Sequence, residues 1–211
     1  MVHIGEKLGN EKILEYLGKY GLGKETGIDL QGEVSPNLKP KKSWYPIDFA
    51  TVTFGQGIAV SQIQMITAFS SLVNGGWLVK PFVVKELIGE NGEVKKIESK
   101  RIRQIISEKT SKEIRKMLEE TVKHGEAKWK VPDGYRIGGK TGTAQIALAG
   151  KYDATKTNAS YIGFAPVSNP QFIMLVTLNQ PETSQWASET AAPLFFKIAK
   201  DLFVEYNIAP N

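Results

Sequence analysis

Apolar residues recur at helical spacing in five stretches of this chain, and between those stretches they alternate or run together as in strands. Met1, Ile4 and Leu8 predict a first helix that enters its pattern without a cap. Ile13, Leu14, Leu17 and Tyr20 line one face of a second, with Asn10 as its cap and Gly21 as its stop. Ser61-Gln62-Ile63-Gln64 is a capping box, in which serine and glutamine each satisfy a free N–H of the other. It opens a third helix, with Ile63, Ile66, Phe69 or Ser70, and Val73 in its stripe and Asn74-Gly75-Gly76 at its end. A fourth starts at Ser107 or Ser111, carries Ile114, Leu118 and Val122, and ends at His124-Gly125. The last covers residues 190–206, with Phe195, Ile198, Leu202 and Tyr206 along one side. Phe196 and Phe203 widen that stripe enough to cover a sheet.

Residues 83–88 and 94–97 flank Asn91-Gly92, a strong short-range hairpin signal. Residues 135–145 read as an exposed strand. Residues 161–167 and 172–178 flank Ser168-Asn169-Pro170 and predict a second hairpin. Within it, Phe172-Ile173-Met174-Leu175-Val176 is apolar throughout, the pattern of a central strand covered on both faces. Residues 35–40 read as a loop and 147–158 as a polar connection. Strand, hairpin and apolar terminal helix together predict an α+β fold, an antiparallel sheet flanked by helices.

Composition narrows the class without naming a function. A chain of 211 residues that is 41% hydrophobic and 23% charged is a globular chain and not a disordered one. The net charge of +5 is spread out, with short basic clusters at 39–42 and 95–103 that no aromatic residues interleave. A solvated surface is the expectation there, ahead of a nucleic-acid groove or an anionic membrane surface, and no nucleic-acid partner is expected. The absence of cysteine excludes disulfides and thiolate metal sites. His3 and His124 are read as lacking a carboxylate or histidine at ligand spacing, so neither a metal nor another cofactor is expected. No apolar run is long enough to span a bilayer, so either the protein is cytosolic or its anchor and targeting segment lie outside this chain, and composition does not choose between them.

Candidate chemistry concentrates in Gly134-Tyr135-Arg136-Ile137-Gly138-Gly139-Lys140-Thr141, which satisfies the phosphate-loop formula of a nucleoside triphosphatase. That mechanism needs a buried strand before the first glycine and a helix starting at the lysine. Lys130-Val131-Pro132-Asp133 is a poor strand, and Gly142 stands where the helix would start, so the context argues against it. The other reading makes 135–145 one strand at a sheet edge. Thr141 and Thr143 then point one way and Lys140 the other. Two hydroxyls on one face can hold a carboxylate, and Gly142 between them lets an extended peptide lie close. The Thr143 N–H is a candidate oxyanion donor.

Gly139-Lys140-Thr141-Gly142-Thr143-Ala144-Gln145 resembles the Lys-Thr-Gly box of penicillin-binding proteins. Tyr20-Gly21-Leu22-Gly23, Thr26-Gly27-Ile28-Asp29-Leu30 and Gly32-Glu33 are similar to the stretch that follows the second motif of that family. Phe54-Gly55-Gln56-Gly57-Ile58, Gln62-Ile63-Gln64 and Asn74-Gly75-Gly76 resemble its class B branch, the monofunctional transpeptidases of cell division and cell shape. Tyr161-Ile162-Gly163-Phe164-Ala165-Pro166 resembles the strand after the box.

The resemblance implies a β-lactamase/transpeptidase-like fold, with residues 1–211 as the C-terminal portion of one transpeptidase domain. It implies a serine acyl-enzyme that cross-links peptidoglycan stem peptides and is blocked by β-lactam antibiotics. Lys140, Thr141, Gly142 and Thr143 would form the substrate-binding strand. The implied setting is the extracytoplasmic side of the cell membrane, held by an anchor outside this chain. No serine here has a lysine three residues on; Ser107-Glu108-Lys109-Thr110 is off by one. Ser35-Pro36-Asn37 matches the Ser-x-Asn motif formally but falls after the Thr26-Gly27 segment, where the family does not place it. No catalytic residue is therefore assigned in this chain. The nucleophile and both missing motifs are expected on an upstream part of the same protein. The alternatives are a binding module without a nucleophile and a relative of the β-lactam sensor or β-lactamase type.

Overall fold

The computed structural model describes residues 1–148 and 151–210. They fall into two compact units, Met1–Ser111 and Lys112–Asn211. The first unit holds α1 (Val2–Leu8), α2 (Asn10–Lys19), α3 (Pro46–Val52) and α4 (Gln62–Val73), with two ribbons made of β1 (Trp77–Lys80), β2 (Glu86–Ile88), β3 (Val94–Lys96) and β4 (Lys100–Gln104). The second is built on β5 (Gly138–Leu148), β6 (Lys151–Ala165), β7 (Phe172–Asn179) and α6 (Ala191–Glu205). The helix α5 (Glu108–His124) runs through the point of division.

In the first unit most start and stop signals act as expected. Ser61 and Gln64 exchange both capping bonds, at 3.3 and 2.9 Å. The cap of α2 differs: Gly9, at φ 87°, occupies that position and Asn10 is the first helical residue. A sharp turn between two short helices needs a left-handed backbone that glycine adopts without strain. The helix α3 carries no legible period because it is only seven residues long. Its start is set by Pro46 and by Asp48, which accepts the Tyr45 N–H at 2.9 Å.

The Asn91-Gly92 hairpin forms, pairing Ile88 with Val94 and Glu86 with Lys96. Its first strand begins later than the apolar pattern suggests. Asp29 takes the Val83 and Val84 N–H groups at 2.7 and 2.9 Å, so those amides are withdrawn from any ladder. The outer ribbon of β1 and β4 lacks alternation and was not legible, since its pairing strands are separated by the whole inner hairpin.

Ser107 and not Ser111 caps α5, accepting the Thr110 N–H at 3.1 Å. Ser111 is fully buried instead. Its hydroxyl donates to the Leu72 carbonyl (2.8 Å) and accepts from the Gly75 N–H (3.2 Å), satisfying both ends of the turn that leaves α4.

The second unit is an antiparallel sheet in the order β5-β6-β7 with α6 across it. Two expectations are corrected here. Most of the connection read at 147–158 is strand, because β6 begins at Lys151 and pairs Asn158 with Ala144 and Thr157 with Gln145. Polar residues in a ribbon carry no hydrophobic period. Ala149 and Gly150 of that segment lie outside the described residues. The apolar run Phe172-Val176 is an outer strand of the three, with only Val176 buried among its five residues. The central strand is β6, where Tyr161, Ile162, Gly163, Phe164 and Ala165 are all buried.

The buried face of α6 is also rotated from the predicted stripe. It consists of Ala191, Ala192, Phe195, Phe196, Ala199 and Phe203, while Tyr206 is 55% exposed. Alanines let the helix approach the sheet closely, which a pattern of large side chains does not reveal. Phe203 stacks on Tyr135 at 3.8 Å between ring centroids, and Phe195 packs on Tyr161 at 4.6 Å.

Glycine supplies the space for this packing. A Cβ on Gly163 would stand 2.7 Å from the Phe195 ring and 3.0 Å from the Gly138 carbonyl. Gly163→Ala is therefore expected to destabilise the chain by about 1–3 kcal/mol, the usual cost of overpacking a core. Denaturant unfolding of the variant against the parent checks this; an unchanged midpoint would show that the helix can shift.

Candidate functional site

Strand β5 is positioned before it starts. Glu119, on α5, is buried and accepts two bonds from Arg136, both at 2.7 Å, with Lys123 Nζ at 3.1 Å from the same carboxylate. The Arg136 carbonyl in turn accepts the Val167 N–H at 3.1 Å, next to the end of β6. The bidentate guanidinium and Lys123 outweigh burial and hold the Glu119 carboxyl below the ordinary glutamate range.

Beyond Arg136, Ile137, Gly138 and Gly139 are buried, Lys140 is exposed, and Thr141, Gly142 and Thr143 are half-buried on an outer strand of the described sheet. The register sets Thr141 opposite Tyr161 and Thr143 opposite Ala159, so both threonines belong to the face that α6 covers. Lys140 and Gly142 belong to the other face, opposite Ile162 and Ser160. The lysine does not stay there. Its flexible stem curls round the strand, and Nζ donates to the Thr141 carbonyl (2.9 Å) and hydroxyl (3.3 Å). A compact cluster of one ammonium and one hydroxyl results.

Thr143 has a structural partner that sequence reasoning missed, since its Oγ1 accepts the N–H of buried Ala187 at 3.2 Å. A hydroxyl that accepts in this way still has its own proton to donate. Gly142 also answers to its own sheet. A Cβ there would lie 2.7 Å from Ser160 Oγ, which donates to the Gly142 carbonyl at 3.3 Å. Behind β5 lies a cavity of about 260 Å³ lined in part by Gly139, Lys140, Thr141 and Ser188. Tyr161 lines it too, with a buried hydroxyl that has no hydrogen-bond partner among the described residues; burial pushes that phenol well above its ordinary pKa.

This geometry removes the phosphate-loop reading. Lys140 lies inside a strand, and no helix begins at it, so there is no ring of helix N-terminal amides around it. The histidine expectation is corrected as well. His3 lies 3.8 Å from Glu6 and His124 3.3 Å from Glu120, each one helical turn away. Among the described residues no group of three metal-ligating side chains includes either pair. Ser35 is held by Gln64, whose amide donates to Ser35 Oγ (2.9 Å) and to the Lys24 carbonyl (2.8 Å). Ser107, the other near match, is spent on its cap.

The Thr26–Glu33 stretch of the resemblance acts as a brace. Glu33 accepts from the Thr26 N–H and hydroxyl, both at 2.7 Å, and from the Gly27 N–H at 3.0 Å. Burial alone would raise its pKa, but these donors hold the carboxyl below its usual range. Asp29 ties the same loop to the amides of 83 and 84.

Lys140, Thr141, Gly142 and Thr143 thus lie on an outer strand of a described sheet that an aromatic helix covers, the arrangement that the transpeptidase resemblance implies. The family profile of the penicillin binding protein transpeptidase domain matches residues 1–200, and the chain belongs to that family. It is 42% identical to stage V sporulation protein D of Bacillus subtilis, over 100% of this chain and 33% of that protein. It is 36% identical to the peptidoglycan D,D-transpeptidase FtsI of Buchnera aphidicola, over 95% of this chain and 34% of that protein. The crystal structure of penicillin binding protein 3 from Mycobacterium tuberculosis complexed with ampicillin superposes with a TM-score of 0.92, at 27% identity, covering 100% of this chain and 49% of that one. The fold is thus the β-lactamase/transpeptidase one. The chain spans about a third of the length of the curated relatives it matches.

The brace on β5 carries a pH dependence. Because the folded-state pKa of Glu119 is depressed, its stabilisation is present above the ordinary glutamate value and is lost as pH falls through the lowered one. Arg136→Ala is expected to cost about 1–3 kcal/mol at neutral pH, with Lys123 remaining as a partial partner. It is also expected to flatten the acid limb. Urea unfolding of both proteins across the acid range reads both effects; parallel pH profiles would remove Arg136 as the cause.

Proposed function

We propose that this chain supplies the substrate-binding wall of a class B peptidoglycan D,D-transpeptidase. In that reading the serine nucleophile and its lysine are carried by another part of the same protein. The serine attacks the penultimate D-alanine carbonyl of a stem peptide and releases the terminal D-alanine. The amine of a neighbouring stem then resolves the acyl-enzyme. A β-lactam takes the place of the first stem and deacylates slowly. The protein works on the extracytoplasmic side of the membrane through an anchor outside this chain; no described helix is long and apolar enough to cross a bilayer.

The observation that carries the reading is the Lys140 ammonium bonded to the Thr141 hydroxyl on an outer strand, with Thr143 on the same face as Thr141. A carboxylate arriving at the strand meets a cation and two hydroxyls. Ionic hydrogen bonds of this kind are the strong ones. The Thr143 N–H would donate to the carbonyl oxygen as negative charge develops on it, and Gly142 leaves the backbone open to an extended peptide. Lys140 lowers the cost of bringing a second anionic or hydroxyl group to this edge. No metal or organic cofactor enters this chemistry.

A fluorescent penicillin tests it. The complete protein should be labelled at a serine outside this chain, and the chain by itself should stay unlabelled; covalent labelling of the isolated chain would falsify the placement of the nucleophile. In the complete protein, Thr143→Ala is expected to slow acylation by the equivalent of about 1–3 kcal/mol. Because Ala187 also loses its acceptor, Thr143→Ser serves as the control that keeps the hydroxyl and should retain most of the rate. Equal acylation rates for all three proteins would count against the carboxylate role.

A further inference from the structure

The first unit contains a cavity of about 430 Å³ that the transpeptidase reading does not use. Its walls are apolar, formed by Phe82, Val84, Leu87 and Ile97. Volume and lining are those of small-ligand pockets, which are mainly apolar with a few polar groups that set orientation. The polar groups are two lysines, Lys80 and Lys100, and two carboxylates, Asp29 and Glu98. Lys80 and Lys100 both line the cavity, and they stand directly opposite each other in the β1–β4 register. Like charges in that position destabilise an antiparallel pair. Neither lysine makes a salt bridge among the described residues, although Lys80 acts through space on Asp29. Asp29 is already committed to the Val83 and Val84 amides, which leaves Glu98 as the one other carboxylate in the wall. Leu87 is 53% exposed, so the apolar wall opens to solvent and is not a sealed part of the core.

We propose that this cavity binds an organic anion with an apolar body, the body against Phe82, Val84, Leu87 and Ile97 and the anionic head between Lys80 and Lys100. A bound head would relieve the repulsion between the two ammonium groups, and an apolar body would remove exposed hydrocarbon from water. Carboxylate and phosphate heads fit the same pair of lysines. The basic stretch at 95–103 thus acquires a role at Lys100 beyond solubility.

The test is an NMR titration of the isotope-labelled chain with decanoate, below its micelle concentration, and with decyl phosphate. Saturable shifts are expected at the amides of 82, 84, 87 and 97. Decanol and acetate, which supply the body or the head alone, should bind roughly tenfold more weakly or worse, as the loss of a charge-assisted bond or of the buried chain requires. Lys80→Ala/Lys100→Ala should weaken decanoate by about the same factor and leave decanol unchanged. Leu87→Glu, at an exposed position, should abolish both. Tighter binding of decyl phosphate assigns a lipid-type head, and tighter decanoate assigns a carboxylate source; either outcome supports the site. Equal affinity for decanol and decanoate, shifts that survive in both variants, or no saturable shift would overturn it.

Discussion

The contact on which the second unit depends is that of the Phe195 ring with the bare backbone of Gly163 in the centre of the sheet. It lets α6 lie close, with Ala191, Ala192 and Ala199 fully buried beside it. The same economy is repeated along β5, where Gly139 leaves room for the Tyr161 hydroxyl and Gly142 for Ser160. Side chains missing at those points let aromatic groups fill the space between strand and helix, and let Ser160 lie against the strand on the other face. The edge that carries Lys140, Thr141 and Thr143 is consequently held from behind by packing, and from its start by the Arg136–Glu119 pair.

That arrangement would let one strand hold its own sheet together and serve the proposed binding role. Thr143 keeps Ala187 satisfied and still has a proton to offer. Gly142 is required by Ser160 and also leaves an open backbone toward any chain that pairs with the edge. Lys140 belongs by register to one face and by its ammonium to the edge itself. In the proposed binding role, groups that already make structural bonds are ordered beforehand, so little conformational freedom would remain to be lost when a ligand docks.

Much of this was legible from the residues. The capping box at Ser61, the Asn91-Gly92 turn, the long terminal helix and the Lys-Thr-Gly strand all follow from local chemistry, and the structure reproduces them. The misses share one cause. The helix α3 is too short for a period, and β1 and β4 are joined across an inserted hairpin. Most of β6 in 151–158 is polar, and its strand state is decided by its pairing with β5. Periodicity reports one-sided burial, so segments exposed on both sides or paired at long range fall outside what it can detect.

The sequence by itself determined the longer helices, the Asn91-Gly92 hairpin, the strand state of the Lys-Thr-Gly segment and the family, because each of these is written in runs of neighbouring residues. Only the tertiary structure decided which partners those residues take. It placed β6 and not the more apolar β7 at the centre of the described strands, turned the Lys140 ammonium onto Thr141, and gave Thr143 an amide to hold. It also set Lys80 and Lys100, twenty positions apart in the chain, opposite each other on adjacent strands in the wall of a cavity. Contacts between distant residues depend on register and on how closely backbones approach, and both are set by packing that no local pattern encodes.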